Sequence, residues 1–374
     1  MGIPYTESGY NMYDMLSTIQ KGIRRGNYEL AGWGAKQLQG SFRSVMWNRM
    51  FVISSEDCYG ILTKEIVALR EKDFQERDNR YISNAMALLC RARKSRDACY
   101  FSCNFVLDHR NPRDVSVSDE EMAAYAERVK RPGAKGGYDQ FGFRQYNLFG
   151  LDEDEEEKPE YQEIEFTGCK LEKAIAHRDM DMMGYYIDKL RGDDRQYLWT
   201  ILKDYADHHS QGVASEEIKA LERADETLNG KKAKDKRDEI FISKAAMILC
   251  YAEDDRLASV FSNDGISSDK ILDWSRLDVK PIEDCVLENG KIPDYVFDCH
   301  TIKGKKAGKT DWDMTRDEQE ALFPLYRAYF DDASWIYTYE QDFRNGVMNN
   351  ASMAPIRKYA ETHPANPVEY IPYD

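Results

Sequence analysis

Apolar side chains recur along the start of the chain at helical spacing. Met12, Leu16, Ile19 and Ile23 lie three or four apart, and Asn11 stands where a helix N-cap belongs. Asn27 opens a second such segment carrying Leu30, Ala31, Ala35 and Leu38, and Gly40 ends it. Two apolar stripes joined by so short a polar turn predict an αα-hairpin. Further helices are expected over Ser44–Ser54 and Thr63–Lys72, and an apolar, alanine-rich and buried one over Ile82–Arg93.

The same pattern occurs twice. Ile19–Leu69 aligns without a gap on Leu171–Leu221, at an offset of 152. Gly32 falls on Gly184, Gly40 on Gly192, Arg43 on Arg195, Trp47 on Trp199 and Gly60 on Gly212, while Asp179 takes the capping place of Asn27. An eight-residue insertion around polar Asn229–Lys234 then shifts the offset to 160, where Ile82 meets Ile242 and Leu89 and Cys90 meet Leu249 and Cys250. Glycines and tryptophans in register, in one order, imply a duplicated helical unit. The expected fold is therefore all-α, with copy one over residues 1–110 and copy two over 167–290. Between them, 111–166 reads as an irregular, acidic linker, on the strength of Lys130–Gly137 and the run Asp152–Glu157. Residues 291–374 read as a short extended element near 292–301, a basic loop, a helix carrying Leu322, Leu325 and Tyr329, and a proline-rich tail. Trp47 and Trp199 are expected in equivalent, buried positions.

Charge narrows the functional classes. A net charge of −15 leaves no broad basic surface to displace counterions from nucleic acid, so direct DNA contact is expected to be weak or local at most. No apolar run approaches the ~18 residues of a spanning helix, and the N-terminus lacks the basic and apolar regions of a secretory leader. A cytoplasmic protein without membrane contact is the expectation. The eight cysteines include no Cys-x-x-Cys pair, and several, such as Cys90 and Cys250, sit inside apolar runs. Cys99 and Cys103 share a helical spacing but have only His109 nearby, so no metal site is expected.

Chemistry-bearing motifs are sparse. Gly304 to Thr310 reads Gly-Lys-Lys-Ala-Gly-Lys-Thr, one residue short of a phosphate-binding loop, so neither nucleotide nor other cofactor is expected. His208 and His209 lack further ligands, and no nucleophile motif is present. Glu56, Asp57, His300 and Thr301 are secondary candidates, relevant to an enzyme that would use a cleft between the copies. The sharper feature is a charge contrast after the buried helix. Copy one carries Arg91, Arg93, Lys94, Ser95 and Arg96 where copy two carries Tyr251, Glu253, Asp254, Asp255 and Arg256. The basic segment is the leading candidate for binding a partner or an anion, and reversal of Lys94 and Arg96 is expected to weaken capture while leaving the fold intact.

Tyr13–Lys21, Ala31–Leu38, the run from Trp47 to Asp57 ending Ser-Ser-Glu-Asp, and Ala92 to Ser95 together resemble the C-terminal region of the replication-associated recombination ATPases. This is the MgsA/RarA family, related to the Werner-helicase-interacting ATPase. Ile292 to Lys305, with Asp298, His300, Thr301 and Gly304, resembles an element of stand-alone relatives of that domain. The resemblance covers residues 11–105 well and 167–325 through the repeat. It implies a helical oligomerisation domain, here in tandem and without the ATPase module. The function it implies is non-enzymatic protein binding in DNA replication or recombination. The partner would be such an ATPase, a replisome component or a second copy of the chain. An acidic mimic of nucleic acid, blocking a DNA-binding partner, is the further alternative.

Overall fold

The computed structural model describes residues 4–107, 112–130, 161–209, 212, 214–230, 239–250, 287, 290–322, 331–363 and 371–373. Among them the fold is all-α, without a strand. No described helix is long and apolar enough to cross a membrane.

Copy one comprises α1 (Met12–Arg24), α2 (Tyr28–Leu38), α3 (Arg43–Glu56), α4 (Thr63–Glu76) and α5 (Asn79–Arg91). The short α6 (Asp97–Phe101) then runs into a π-helical turn, Ser102–Val106. After α7 (Asp119–Arg128) comes copy two: α8 (Glu163–Ala176), α9 (Met180–Leu190), α10 (Arg195–His209), α11 (Ser215–Asn229) and α12 (Ile240–Leu249). The offset of 152 carries α2 onto α9 residue for residue. Capping explains why the hairpins begin where they do. Asn27 Oδ1 accepts from the Leu30 amide at 2.9 Å, and Asp179 Oδ1 does the same for Met182 at 3.3 Å.

Each copy is locked by the same polar triad around a buried carboxylate. In copy one the Arg43 guanidinium pairs with Asp73, which also accepts from Trp47 Nε1 at 2.7 Å. In copy two Arg195 pairs with Asp225 at 2.6 Å, and Trp199 Nε1 donates to the same carboxylate at 2.9 Å. Both tryptophans are buried, as the repeat requires. A charge so far from water persists only when its partners satisfy it, and the triad does this in both units.

The two copies share one continuous apolar core, with α4 against α11, α12 against α3 and α6, and the π turn against α9. Their junction is not symmetric. Glu217 of α11 is buried and accepts from the Leu62, Thr63 and Lys64 amides at 3.1, 2.7 and 2.9 Å. It satisfies the free amides at the start of α4, where Leu62 has no capping side chain. The aligned Glu65 is exposed. Nearby, the buried Lys244 ammonium donates to the Cys58 carbonyl.

Two sequence expectations need correction. The stretch 111–166 is not wholly irregular, because α7 lies within it behind a capping box of Ser118 and Glu121. Residues 131–137 and Asp152–Glu157 lie outside the described residues. The element near 292–301 is not extended either. Pro293 starts a 3-10 turn, Asp294–Val296, through Val296 N to Pro293 O at 3.1 Å, and the chain turns again at Cys299 and His300. It continues through α13 (Ile302–Lys306), α14 (Asp311–Leu322), α15 (Asp331–Arg344) and α16 (Asn350–Thr362). Trp312, Trp335, Tyr339 and Tyr359 gather there into a separate aromatic cluster. Leu325, Tyr329 and most of the proline-rich tail lie outside the described residues.

Candidate functional site

The first and third helices of each copy form a groove, and the two grooves differ in what they hold. In copy two α7 lies between α8 and α10. Tyr125 and Tyr197 share a hydroxyl–hydroxyl hydrogen bond of 2.7 Å, both buried. Gly168 makes room for this, since a Cβ there would overlap the Tyr125 hydroxyl. Arg128 of α7 bonds Glu172 at 2.6 Å and also pairs with Asp204. Lys173 reaches back to the Ser116 carbonyl at 3.1 Å and to Glu121 at 2.8 Å. That groove is filled.

In copy one, among the described residues, the matching groove is open. Val45 stands for Tyr197, Leu16 for Gly168, Gln20 for Glu172 and Val52 for Asp204. All four line a cleft of about 960 Å³, bounded by Cys99, Cys103 and Leu107 on one side and by residues of the 298–318 stretch on another. Tyr13 (56% exposed), Val45 (39%), Leu107 (55%) and Ile302 (43%) all belong to it, so most of the large apolar side chains left exposed among the described residues gather here. Apolar surface concentrated in this way marks an interaction site more often than scattered residues do.

The floor of the cleft is ionic. Arg24 pairs with Asp57 at 2.8 Å and Glu318 at 2.8 Å, and Arg96 pairs with Glu56 at 2.8 Å and Asp57 at 3.0 Å. Gln20 donates to Glu56 at 2.9 Å and to Asp57 at 2.8 Å. Burial alone would raise the Glu56 carboxyl, but Arg96 and Arg24 overcome it and hold the group down at about 2. Beside them the Arg96 guanidinium donates to Cys99 Sγ at 3.1 Å. The Cys99 thiol in turn hydrogen-bonds the exposed Cys103 and brings its thiol down to about 7. The wall from 290 to 322 is clamped onto α1 by Ser17 to Val296 O at 2.5 Å, Lys21 to Asp298 at 2.8 Å and Arg25 to Asp317 at 2.5 Å.

The basic segment proposed from sequence does not form a surface patch. Arg91 is exposed and Arg93 half-buried, but Lys94, Ser95 and Arg96 point inward and are buried. Lys94 Nζ donates to the carbonyls of Leu89, Cys90 and Ala92 at 2.6, 3.1 and 2.7 Å, so it caps the end of α5. Ser95 Oγ accepts from the Asp97 amide at 3.1 Å. Reversing Lys94 and Arg96 would therefore strike the interior, which overturns the expectation of an intact fold. The acidic counterparts 253–255 lie outside the described residues. Sequence reasoning did single out groups that converge. Arg96 and Glu56 line the cleft with His300 and Thr301, and Asp57 is fully buried beneath them.

Other motifs resolve into local structure. Gly304–Thr310 folds as α13 and its exit turn, with no strand before it, and Lys309 pairs with Asp294 at 3.0 Å. His209 stacks on Tyr205 with ring centroids 4.2 Å apart. Sequence reasoning missed Arg24, Glu318 and the Val45/Tyr197 contrast. The last was readable in the alignment of the copies, whereas the first two depend on contacts between distant parts of the chain. No protein-family model, curated protein or solved structure matches this chain.

Proposed function

We propose that the chain is a non-enzymatic protein-binding module that takes a helical segment of a partner into the open groove of copy one. One internal precedent carries this reading. The equivalent groove of copy two already holds a helix, α7, anchored by an aromatic ring and an arginine. Copy one offers the same two walls with exposed apolar residues, and with Arg49 where copy two has Ile201. A fitting occupant is an amphipathic helix with an apolar anchor for Val45, placed differently from Tyr125 because Leu16 fills the space that Gly168 leaves, and an acidic group for Arg49. The ionic floor supports binding over acid–base catalysis, because a carboxylate held near 2 between two guanidiniums is a poor proton carrier at neutral pH. The family resemblance supports a partner from DNA replication or recombination.

The experiment is affinity capture by the full chain, comparing wild type with Val45→Glu/Arg49→Glu, alongside thermal unfolding of both. The expected result is a partner retained by the wild type and lost from the variant, with unfolding unchanged. Equal retention by both overturns the groove as the site. A specific partner with no role in replication or recombination would remove only the assignment of process.

A further inference from the structure

At the mouth of the cleft, three side chains of different chemistry converge from two elements. Cys299 and His300 occupy the turn before α13, and Asp311 opens α14. One ligand atom from each, a thiol sulfur, a ring nitrogen and a carboxylate oxygen, lies within 4.8 Å of the other two. Cys299 Sγ donates to Asp311 Oδ1 at 3.2 Å, and the Met314 thioether sulfur stands 3.7 Å from the same Sγ. We infer that Cys299, His300 and Asp311 form a zinc site, with Met314 or water on the fourth side. The inference is independent of what the groove binds.

The ligand set decides the ion. Zinc accepts thiolate, imidazole and carboxylate together in a tetrahedron, and a thiolate with a carboxylate balances its charge. Magnesium and calcium demand six or more oxygens, which this turn does not offer. Tetrahedral bonds of about 2.0–2.3 Å place ligand atoms about 3.3–3.8 Å apart. The Cys299 to Asp311 spacing of 3.2 Å lies just short of that range, and the exposed His300 ring, within 4.8 Å of both, must move closer to complete the set.

Both elements that carry the ligands are fixed beforehand. Asp298 accepts from the His300 amide at 2.9 Å and is itself held by Lys21 at 2.8 Å. Thr301 Oγ1 accepts from the Gly304 amide at 3.0 Å, and Gly304 packs so closely on the Asp298 carbonyl that no side chain fits there. At the other end Thr310 and Asp313 cap α14 reciprocally, through Thr310 N to Asp313 Oδ2 at 2.9 Å and Asp313 N to Thr310 Oγ1 at 3.3 Å. With the turn and the helix start fixed in this way, the His300 side chain is what remains to be ordered when the ion arrives. Because His300 and Met314 also line the cleft, the ion would sit at its rim.

The test uses the full chain in a Cys99→Ser/Cys103→Ser background, so that the other thiols near the cleft cannot compete. After chelation and desalting, Zn²⁺ is titrated against a chromophoric chelator, and Co²⁺ is added to a parallel sample. One equivalent of zinc is expected, with a sulfur-to-cobalt charge-transfer band. Cys299→Ser should abolish the band, and His300→Ala and Asp311→Asn should each weaken zinc binding at least about tenfold. His300 and Asp311 are exposed, so their variants should unfold at the same temperature as the parent without metal. Less than one equivalent bound by the parent overturns the site. So does zinc affinity unchanged by Asp311→Asn, or a cobalt spectrum without the thiolate band.

Discussion

Copies one and two share a scaffold and differ in what lies between their first and third helices. In copy two, small Gly168 and large Tyr197 admit Tyr125 of α7, and Arg128 seals the edge against Glu172 and Asp204. In copy one the same positions carry Leu16, Val45, Gln20 and Val52, and among the described residues the groove remains open over a floor of paired charges. The copies have thus kept what holds the unit together, the triads of Arg43, Trp47 and Asp73 and of Arg195, Trp199 and Asp225. They have diverged where the unit meets something else. Duplication supplied two equivalent grooves, and the chain fills one from within.

The most damaging way to test this equivalence is to remove the shared lock. Asp73→Ala leaves the Arg43 guanidinium buried and the Trp47 N–H without its acceptor, and should cost about 4 kcal/mol in denaturant unfolding. Asp225→Ala should cost less, because Arg195 is more exposed than Arg43 and keeps Glu239 at 3.1 Å. A loss confined to one copy would show that the triads are not equivalent. Next in size comes the filled groove. Tyr125→Ala empties the space between α8 and α10 and should cost about 3 kcal/mol, whereas Val45→Ala, already at the open cleft, should change stability by less than about 0.5 kcal/mol. Similar losses from both would mean that copy one's groove is closed in solution.

The junction gives the third contrast. Glu217→Ala leaves the first amides of α4 without acceptors and should cost about 2 kcal/mol. The aligned change, Glu65→Ala, removes an exposed carboxylate and should stay within about 0.5 kcal/mol. Equal effects would point to a symmetric junction, contrary to the position of Glu217.

Much of the fold was legible because helices write their signals locally. Apolar spacing, Asn27 and Asp179 as caps, and the register of Trp47 with Trp199 are all properties of short windows. Helix α7 escaped notice because it offers only Met122 and Tyr125 as buried residues, within an acidic stretch. Its Ser118-x-x-Glu121 box was the available sign. The basic segment misled for the opposite reason. Arg and Lys are usually solvated, and only partners far along the chain, Glu318 above all, reveal that Arg96 is interior. Lys94 needs no acid at all, because three carbonyls at the end of α5 receive it. The candidate site was therefore half visible. Its residues Arg96, Glu56, His300 and Thr301 could be named, but not the groove that unites them.

The smallest effect concerns the floor of copy one, where copy two has His208 and His209 in place of Glu56 and Asp57. The Glu56 carboxyl has an ordinary value of 4.5 and is held at about 2 in the fold by Arg96 and Arg24. A depressed carboxyl stabilises the folded state fully above its unfolded value, and that contribution fades as pH falls from about 4.5 towards 2. Glu56→Gln keeps the shape and removes the charge. Arg96 and Arg24 retain Asp57 and Glu318, so the loss at neutral pH should be at most about 2 kcal/mol, below the roughly 3 kcal/mol that the full depression of the carboxyl would carry. Urea unfolding of wild type and variant, measured between pH 7 and pH 3, reads the effect directly. The difference between them should be constant down to about pH 5 and should shrink below it, as the wild-type carboxylate begins to take up its proton in the unfolded chain. A difference that stays constant to pH 3 would mean that Glu56 carries no special charge pairing. The floor of the open groove would then be no more ionic than its counterpart in copy two.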